Sequence, residues 1–172
     1  MEHYDLLIVG GGAAGISAAK AARRAGCASI AVVDRKPALG GVLLQCVHRG
    51  FGDGCTGPEF VRQLLEDFPP EIRVISGRTV LKIEESKVAR LSGGRSVSFD
   101  RLILAAGCRE VPMGALPIAG TRPAGIYTVG QMQEMISGVD VDLPPFPLDL
   151  VRRPDCPGED MGEWVRPALE SC

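Results

Sequence analysis

Several things this chain does not have narrow its possibilities. No stretch approaches the roughly 20 consecutive apolar residues that cross a bilayer. There is no excess of basic charge: 19 Lys and Arg stand against 21 Asp and Glu, a net charge of −2. A protein whose main partner is nucleic acid wants a basic surface, so that class is excluded. The six cysteines, at 27, 46, 55, 108, 156 and 172, form no C-x-x-C pair. Cys46, His48 and Cys55 lack the paired spacing of zinc ligands, so no metal site is expected and the thiols are expected to be free. No internal repeat is visible. An apolar run opens three residues after Met1, which leaves no space for a signal peptide and makes the cytoplasm the expected compartment.

What is present begins at once. Tyr4 to Val9 is a continuous apolar run, the pattern of a parallel strand buried on both faces. Gly10-Gly11-Gly12-Ala13-Ala14-Gly15 then gives G-x-G-x-x-G. Ile16 to Ala25 is alanine-rich and favours helix, Gly26 ends it, and Ile30 to Val33 reads as a second strand closing on Asp34. Asp34 lies 34 − 15 = 19 residues beyond the last motif glycine, close to the spacing of about 20 in a dinucleotide-binding βαβ unit. Each residue type has a reason. Gly10 allows the tight turn off the strand, Gly12 lets a pyrophosphate approach the backbone, and Gly15 lets helix and sheet pack closely. The N–H groups of Ala13 and Ala14, backed by the helix dipole, face the phosphates, and Asp34 suits the ribose hydroxyls.

The length of 172 residues fits one substantial domain, and 45% hydrophobic residues suffice for a core. After Asp34 comes a loop with the pair Gly40-Gly41, and residues 42–54 read as irregular. Thr56-Gly57-Pro58-Glu59 is a capping box opening a helix whose face carries Phe60, Val61, Leu64, Leu65 and Phe68, stopped by Pro69-Pro70. Ile72–Ile75 reads as a strand. Thr79–Glu84, Val88–Leu91 and Ser96–Phe99 read as an antiparallel meander, and Leu102 to Gly107 as a separate buried strand. A short strand over Ile126–Val129 and a short helix over Gln131–Ile136 follow. Beyond Val139 prolines accumulate and apolar periodicity fades, so the domain is expected to occupy residues 1–137, with a Pro-rich irregular tail at 138–172. Trp164 is the residue of that tail best suited to anchor a partner.

Taken together, G-x-G-x-x-G, Asp34, Gly40-Gly41, the meander and Ala105-Ala106-Gly107 resemble the FAD-binding half of flavoprotein oxidoreductases with two dinucleotide domains. More narrowly, residues 40–52, 56–60, 105–110 and 120–128 resemble NAD(P)/FAD-dependent enzymes that include small subunits of amine and amino-acid dehydrogenases. Hydrogen cyanide synthase and proteins associated with glycerol-3-phosphate oxidation belong to the same subgroup. The resemblance implies an α/β fold of Rossmann-like FAD/NAD(P)-binding type: a parallel sheet, helices and a β-meander in three layers, here incomplete. It implies that Gly10, Gly12, Ala13, Ala14 and Gly15 hold the pyrophosphate and Asp34 the ribose. Arg35 would lie along the adenosine or stand as a solvated charge. The main chain of Val80 would read the adenine edge, and Gly41, Ala106 and Gly107 would pass near the flavin side.

The departures are informative. Asp34 stands where the family more often has Glu, and Ala106 where it often has Thr. Residues 52–55 form a shorter connection than usual. The C-x-x-x-x-C of related disulfide reductases is missing, because position 43 is leucine. No second glycine-rich βαβ unit and no later Gly-Asp segment appears, so the chain reads as the first half of such an enzyme, truncated or frame-shifted after about residue 138. His48 could contact flavin or stand in a surface loop. Cys46 and Cys108 read as buried small hydrophobes, and no catalytic residue is specified.

Three functions stay open. One is an FAD-dependent oxidoreductase moving hydride between a nicotinamide or small organic substrate and flavin, with NAD(P) as co-substrate. Another is a non-catalytic fragment or a partner of a second flavoprotein subunit. The last is a single-domain NAD-binding protein, since Asp34 also suits NAD ribose.

Overall fold

The computed structural model describes residues 1–111, 113–116, 120 and 126–138. The anticipated tail, Trp164 and most of the 120–128 motif lie outside the described residues.

The opening unit forms as its pattern requires. β1 (Glu2–Val9) leads through the glycine loop into α1 (Ala13–Arg24), and β2 (Ile30–Val33) returns beside β1. The two strands are parallel, with Leu6 opposite Ile30 and Val9 opposite Val33. Every residue of β2 is buried. Alanines on α1 let the helix lie close to the sheet, where Ala18, Ala19 and Ala22 pack with Leu6, Ile8, Ile30, Val32 and Ile72. Burying the Ile16 side chain on this helix contributes about 1.5–3 kcal/mol.

β3 (Arg49–Phe51) and β4 (Cys55–Thr56) form a small antiparallel hairpin before α2 (Gly57–Leu65). A 3₁₀ turn at Gly41–Gln45 precedes the hairpin. Residues 42–54 are therefore ordered rather than irregular: their short local hydrogen bonds leave no periodicity to read. The capping box forms as anticipated. Thr56 Oγ1 accepts from the Glu59 N–H, while the Glu59 carboxylate accepts from the Thr56 N–H at 2.8 Å. Lys20 of α1 donates to the Leu64 carbonyl at 3.1 Å, joining the two helices.

β5 (Arg73–Ile75), β6 (Val80–Ile83), β7 (Val88–Leu91) and β8 (Ser96–Leu104) complete a sheet of order β5-β2-β1-β8-β7-β6. β5, β2, β1 and β8 are mutually parallel, whereas β8, β7 and β6 are antiparallel. The third meander strand and the following strand, expected to be buried, are thus one continuous strand whose stretch from Asp100 to Leu104 is largely exposed, a correction to the sequence reading. The polar pair Asp100-Arg101 suggests a break, yet β8 pairs with β1 on both sides of it, Tyr4 opposite Phe99 and Leu6 opposite Arg101.

The meander makes the third layer. β7 and β2 are three strand spacings apart in the sheet order, about 14 Å along a flat sheet. Ala89 and Leu91 of β7 nevertheless share a core with Ala31 and Val33 of β2, together with Ile75 and Phe99. The sheet must curl so that β6 and β7 cover the face opposite α1. The anticipated α/β three-layer architecture is present.

α3 (Val129–Gly138) closes the described chain. Ile126–Thr128 are not a strand, and Val129 already belongs to the helix. Glu110 accounts for this start: its carboxylate accepts from the Gly130 N–H at 2.7 Å and from the Thr128 hydroxyl, tying the segment to a helix N-terminus.

Thr56→Ala should lower stability by about 1 kcal/mol in urea denaturation, the usual cost of losing an N-cap. The Glu59 carboxyl is held below its ordinary value of 4.5, chiefly by the Thr56 N–H and then by its hydroxyl. A depressed native value means its contribution is complete above pH 4.5 and is lost as pH falls through the lower native value. Denaturation curves of Glu59→Gln and the unsubstituted chain should accordingly converge in acid.

Candidate dinucleotide-binding site

Every part of the glycine motif meets at the C-terminal ends of β1, β2 and β8. Gly10 has φ +107° and its N–H donates to the Val33 carbonyl at 2.8 Å. A Cβ there would come closer than 3.0 Å to the Ala105 carbonyl oxygen, and one on Gly15 closer than 3.0 Å to the Gly10 carbonyl oxygen. These two glycines are demanded by the protein's own packing. Gly12 differs. It has φ −75° and ψ −172°, open to any L-residue, and a Cβ there meets nothing within 4 Å.

Gly12 is also the N-cap of α1, with no side-chain cap and no acidic residue in the first turn. The first-turn N–H groups of Ala13 and Ala14 have no intrahelical acceptors. They sit at the positive end of α1 beside the open space over Gly12, an arrangement suited to an anion. A dinucleotide fits the residues present.

Asp34 is only 9% exposed, and its charge is answered by backbone. One carboxylate oxygen accepts from the Gly11 N–H at 2.6 Å and the other from the Lys36 N–H at 2.7 Å. Gly11 is the functional residue the motif reading passes over, because it fills an unconstrained x position. Its N–H is what the acid grips, and Leu39 covers the place where a side chain would go. A carboxylate oxygen has more than one lone pair, so Asp34 retains acceptor capacity beyond these two bonds.

The remaining anticipated residues are distributed around this centre. The Gly40 N–H donates to the Gly11 carbonyl at 2.7 Å, and Gly41 (φ +59°) lies against the Gly12 Cα. The Ala105 N–H donates to the Val9 carbonyl at 2.8 Å, which sets Ala106 beside Gly10. Gly107 follows in the exposed segment beyond β8, with φ +70°. Arg35 is exposed. Val80 begins β6, two residues past Arg78, whose N–H donates to the Asp34 carbonyl at 3.0 Å.

The thiols divide. Cys46 is buried and burial pushes its pKa up, which disfavours a nucleophilic thiolate. Cys108 is exposed, contrary to the buried position anticipated, because β8 has already ended at Leu104. His48 is exposed and rests against Phe51, with ring centroids 5.3 Å apart. A cleft of about 590 Å³ lies between the hairpin and α2, lined by Arg49, Asp53, Glu59 and Arg62 among others. No glycine-loop residue lines it.

A three-layer α/β fold with this loop defines a Rossmann-like domain of dinucleotide-binding type. The family model described as pyridine nucleotide-disulphide oxidoreductase matches residues 4–138, and the chain belongs to that family. It is similar in fold to L-proline dehydrogenase from P. horikoshii, at 20% identity and TM-score 0.56, over 64% of this chain and 24% of that one. Thioredoxin reductase from T. acidophilum is similar at 22% identity and TM-score 0.57, over 66% of this chain and 38% of that one. Thioredoxin reductase from Streptococcus pyogenes MGAS5005 is similar at 28% identity and TM-score 0.54, over 65% and 38%. The chain therefore spans between 24% and 38% of the lengths of these structures. No curated protein matches the sequence. Among the described residues no helix is long and apolar enough to cross a membrane.

Asp34→Ala leaves the buried Gly11 N–H without its acceptor. The expected loss is about 1–3 kcal/mol of stability in urea denaturation. An unchanged midpoint would show that the carboxylate does not brace the loop.

Proposed function

We propose that this chain binds FAD and serves as the flavin-binding part of an FAD-dependent, NAD(P)-linked oxidoreductase. One observation carries the reading. Gly10 and Gly15 are required by internal packing, whereas Gly12 leaves open space over an uncapped helix N-terminus.

In this reading the N–H groups of Ala13 and Ala14 hold the pyrophosphate, with Gly10, Gly12 and Gly15 shaping the approach. Asp34 accepts from the adenosine ribose with its remaining lone pairs. Arg35 flanks the adenosine, and the Val80 main chain reads the adenine edge. Gly41, Ala106 and Gly107 border the flavin side. The flavin supplies a two-electron centre for hydride exchange with a nicotinamide or a small organic substrate. The motifs at 40–52, 56–60 and 105–110 favour the amine and amino-acid dehydrogenase subgroup within the family.

A second reading, that turnover requires a further flavoprotein subunit, is favoured by the open edge of β8. β8 pairs with β7 as far as Ser98, with one further bond from the Phe99 N–H to the Lys87 carbonyl, and from Asp100 to Leu104 its far edge has no partner strand among the described residues. Leu104 is 66% exposed there. Such a strand in the middle of an α/β sheet is normally covered on both faces. This chain alone would then bind the cofactor without completing a catalytic cycle.

Titrating FAD into the chain should give a saturable change in flavin fluorescence. Gly12→Val should abolish it while circular dichroism and the urea midpoint stay near those of the unsubstituted chain, because the added side chain enters ligand space rather than the core. Binding by a folded Gly12→Val chain at undiminished affinity would overturn the assignment.

A further inference from the structure

A second cluster of polar side chains sits at the other end of β1, about 20 Å along the strand from the glycine loop. His3 and Asp5 come from β1 and Asp100 from β8. The register pairs His3 with Ser98 and Tyr4 with Phe99, which sets Asp100 beside Asp5. One donor atom from each of His3, Asp5 and Asp100 lies within 4.8 Å of the other two.

The hydrogen bonds around His3 orient its ring. The Ser98 hydroxyl donates its one hydrogen to the Glu2 carbonyl at 3.3 Å. With that hydrogen on Glu2, the contact of 3.0 Å between Ser98 Oγ and His3 Nδ1 is one that the Nδ1–H tautomer donates. That leaves Nε2 as the ring nitrogen turned toward the Asp100 carboxylate, 3.5 Å away. In that tautomer a neutral imidazole presents its Nε2 lone pair to a carboxylate oxygen, an arrangement that a cation between them satisfies. The separation is long for a charge-assisted hydrogen bond, normally about 2.7–2.9 Å. It matches the edge of a tetrahedron around zinc, about 3.4 Å for Zn–N and Zn–O bonds near 2.1 Å. Asp5 is held from behind, one of its oxygens accepting from the Ser29 N–H at 3.0 Å. A ligand histidine whose second nitrogen donates, and a ligand carboxylate fixed by a backbone donor, are the outer supports that metal sites use.

We propose that His3 Nε2 and the carboxylates of Asp5 and Asp100 bind a divalent cation of the zinc type, with water completing the coordination. An imidazole among the donors favours zinc over magnesium or calcium, which take oxygen ligands. His3 and Asp100 side chains are 54% and 58% exposed, so the ion exchanges with solvent. Bound there, it cross-links β1 to β8 where the chain begins, independently of any nucleotide.

Only two histidines are present, so imidazole nitrogen resonances report this site with His48 as an internal control. Zinc added to the full chain in excess over its thiols should shift the His3 ring signals saturably and leave His48 unmoved, with EDTA reversing the change. Asp100→Asn and Asp5→Asn should each weaken the response about tenfold or more, since even outer-shell losses cost that much. Both keep an oxygen in place, and Asp5→Asn preserves the acceptor for Ser29. His3 signals that stay fixed at millimolar zinc, or shift equally in both variants, would overturn the proposal and leave a His3–Asp100 ion pair.

Discussion

The bond from the Gly11 N–H to the Asp34 carboxylate is the constraint on which the glycine-loop end of this domain depends. A buried carboxylate is expensive unless hydrogen bonds replace its water. Asp34 finds both of its partners in backbone, at Gly11 and Lys36. Its own N–H donates to the Ile75 carbonyl and its carbonyl accepts from the Arg78 N–H. One residue thus ties the glycine loop to the end of β2, to the end of β5 and to the entry of the meander. The shorter acid at this position has a structural consequence: its reach is enough to grip the loop directly.

The parts of the fold legible in the sequence are those where local chemistry and tertiary environment agree. β1, α1 and β2 need only an apolar run, an alanine-rich stretch and a glycine turn, and each reads the same in the structure. The capping box is likewise local. β8 is different because it belongs to two layers. Its first half pairs with β7 and its second half only with β1, and the polar pair at 100–101 marks the handover rather than a loop. The same place shows in β1, where Tyr4 and Leu7 share one core despite opposite parity. A strict period of two cannot reveal a strand whose faces are exchanged midway. The hairpin at 49–56 is too short for any period, and the exposure of Cys108 follows from where β8 ends, which a continuous apolar reading through Gly107 hides.

The positions of the candidate residues were readable to a similar depth. Motif spacing locates Gly10, Gly12, Gly15 and Asp34, and the structure gathers them with Gly40, Gly41 and Ala106. Motif spacing does not separate the glycines by purpose. Gly11 stands at an unspecified position, yet its N–H is the one Asp34 holds. Gly10 and Gly15 have the same residue type as Gly12 for an unrelated reason: a Cβ on either collides with backbone. Only three-dimensional closeness distinguishes a glycine whose Cβ would collide with backbone from one that faces open space.

The open length of β8 links the fold to the proposed function. Parallel strands in the middle of a sheet owe their stability to cover on both faces and pairing on both edges. Ile103 and Leu104 are 36% and 66% exposed, immediately before Ala105 and Ala106 reach the glycine loop. Among the described residues, the second half of the strand that carries the loop's second wall is therefore paired on one edge only, with β1. Any polypeptide that paired with it would stabilise Ala106 and Gly107 as well as the sheet. Cofactor affinity and assembly would then be coupled through one strand, because ordering paid on pairing need not be paid again on binding.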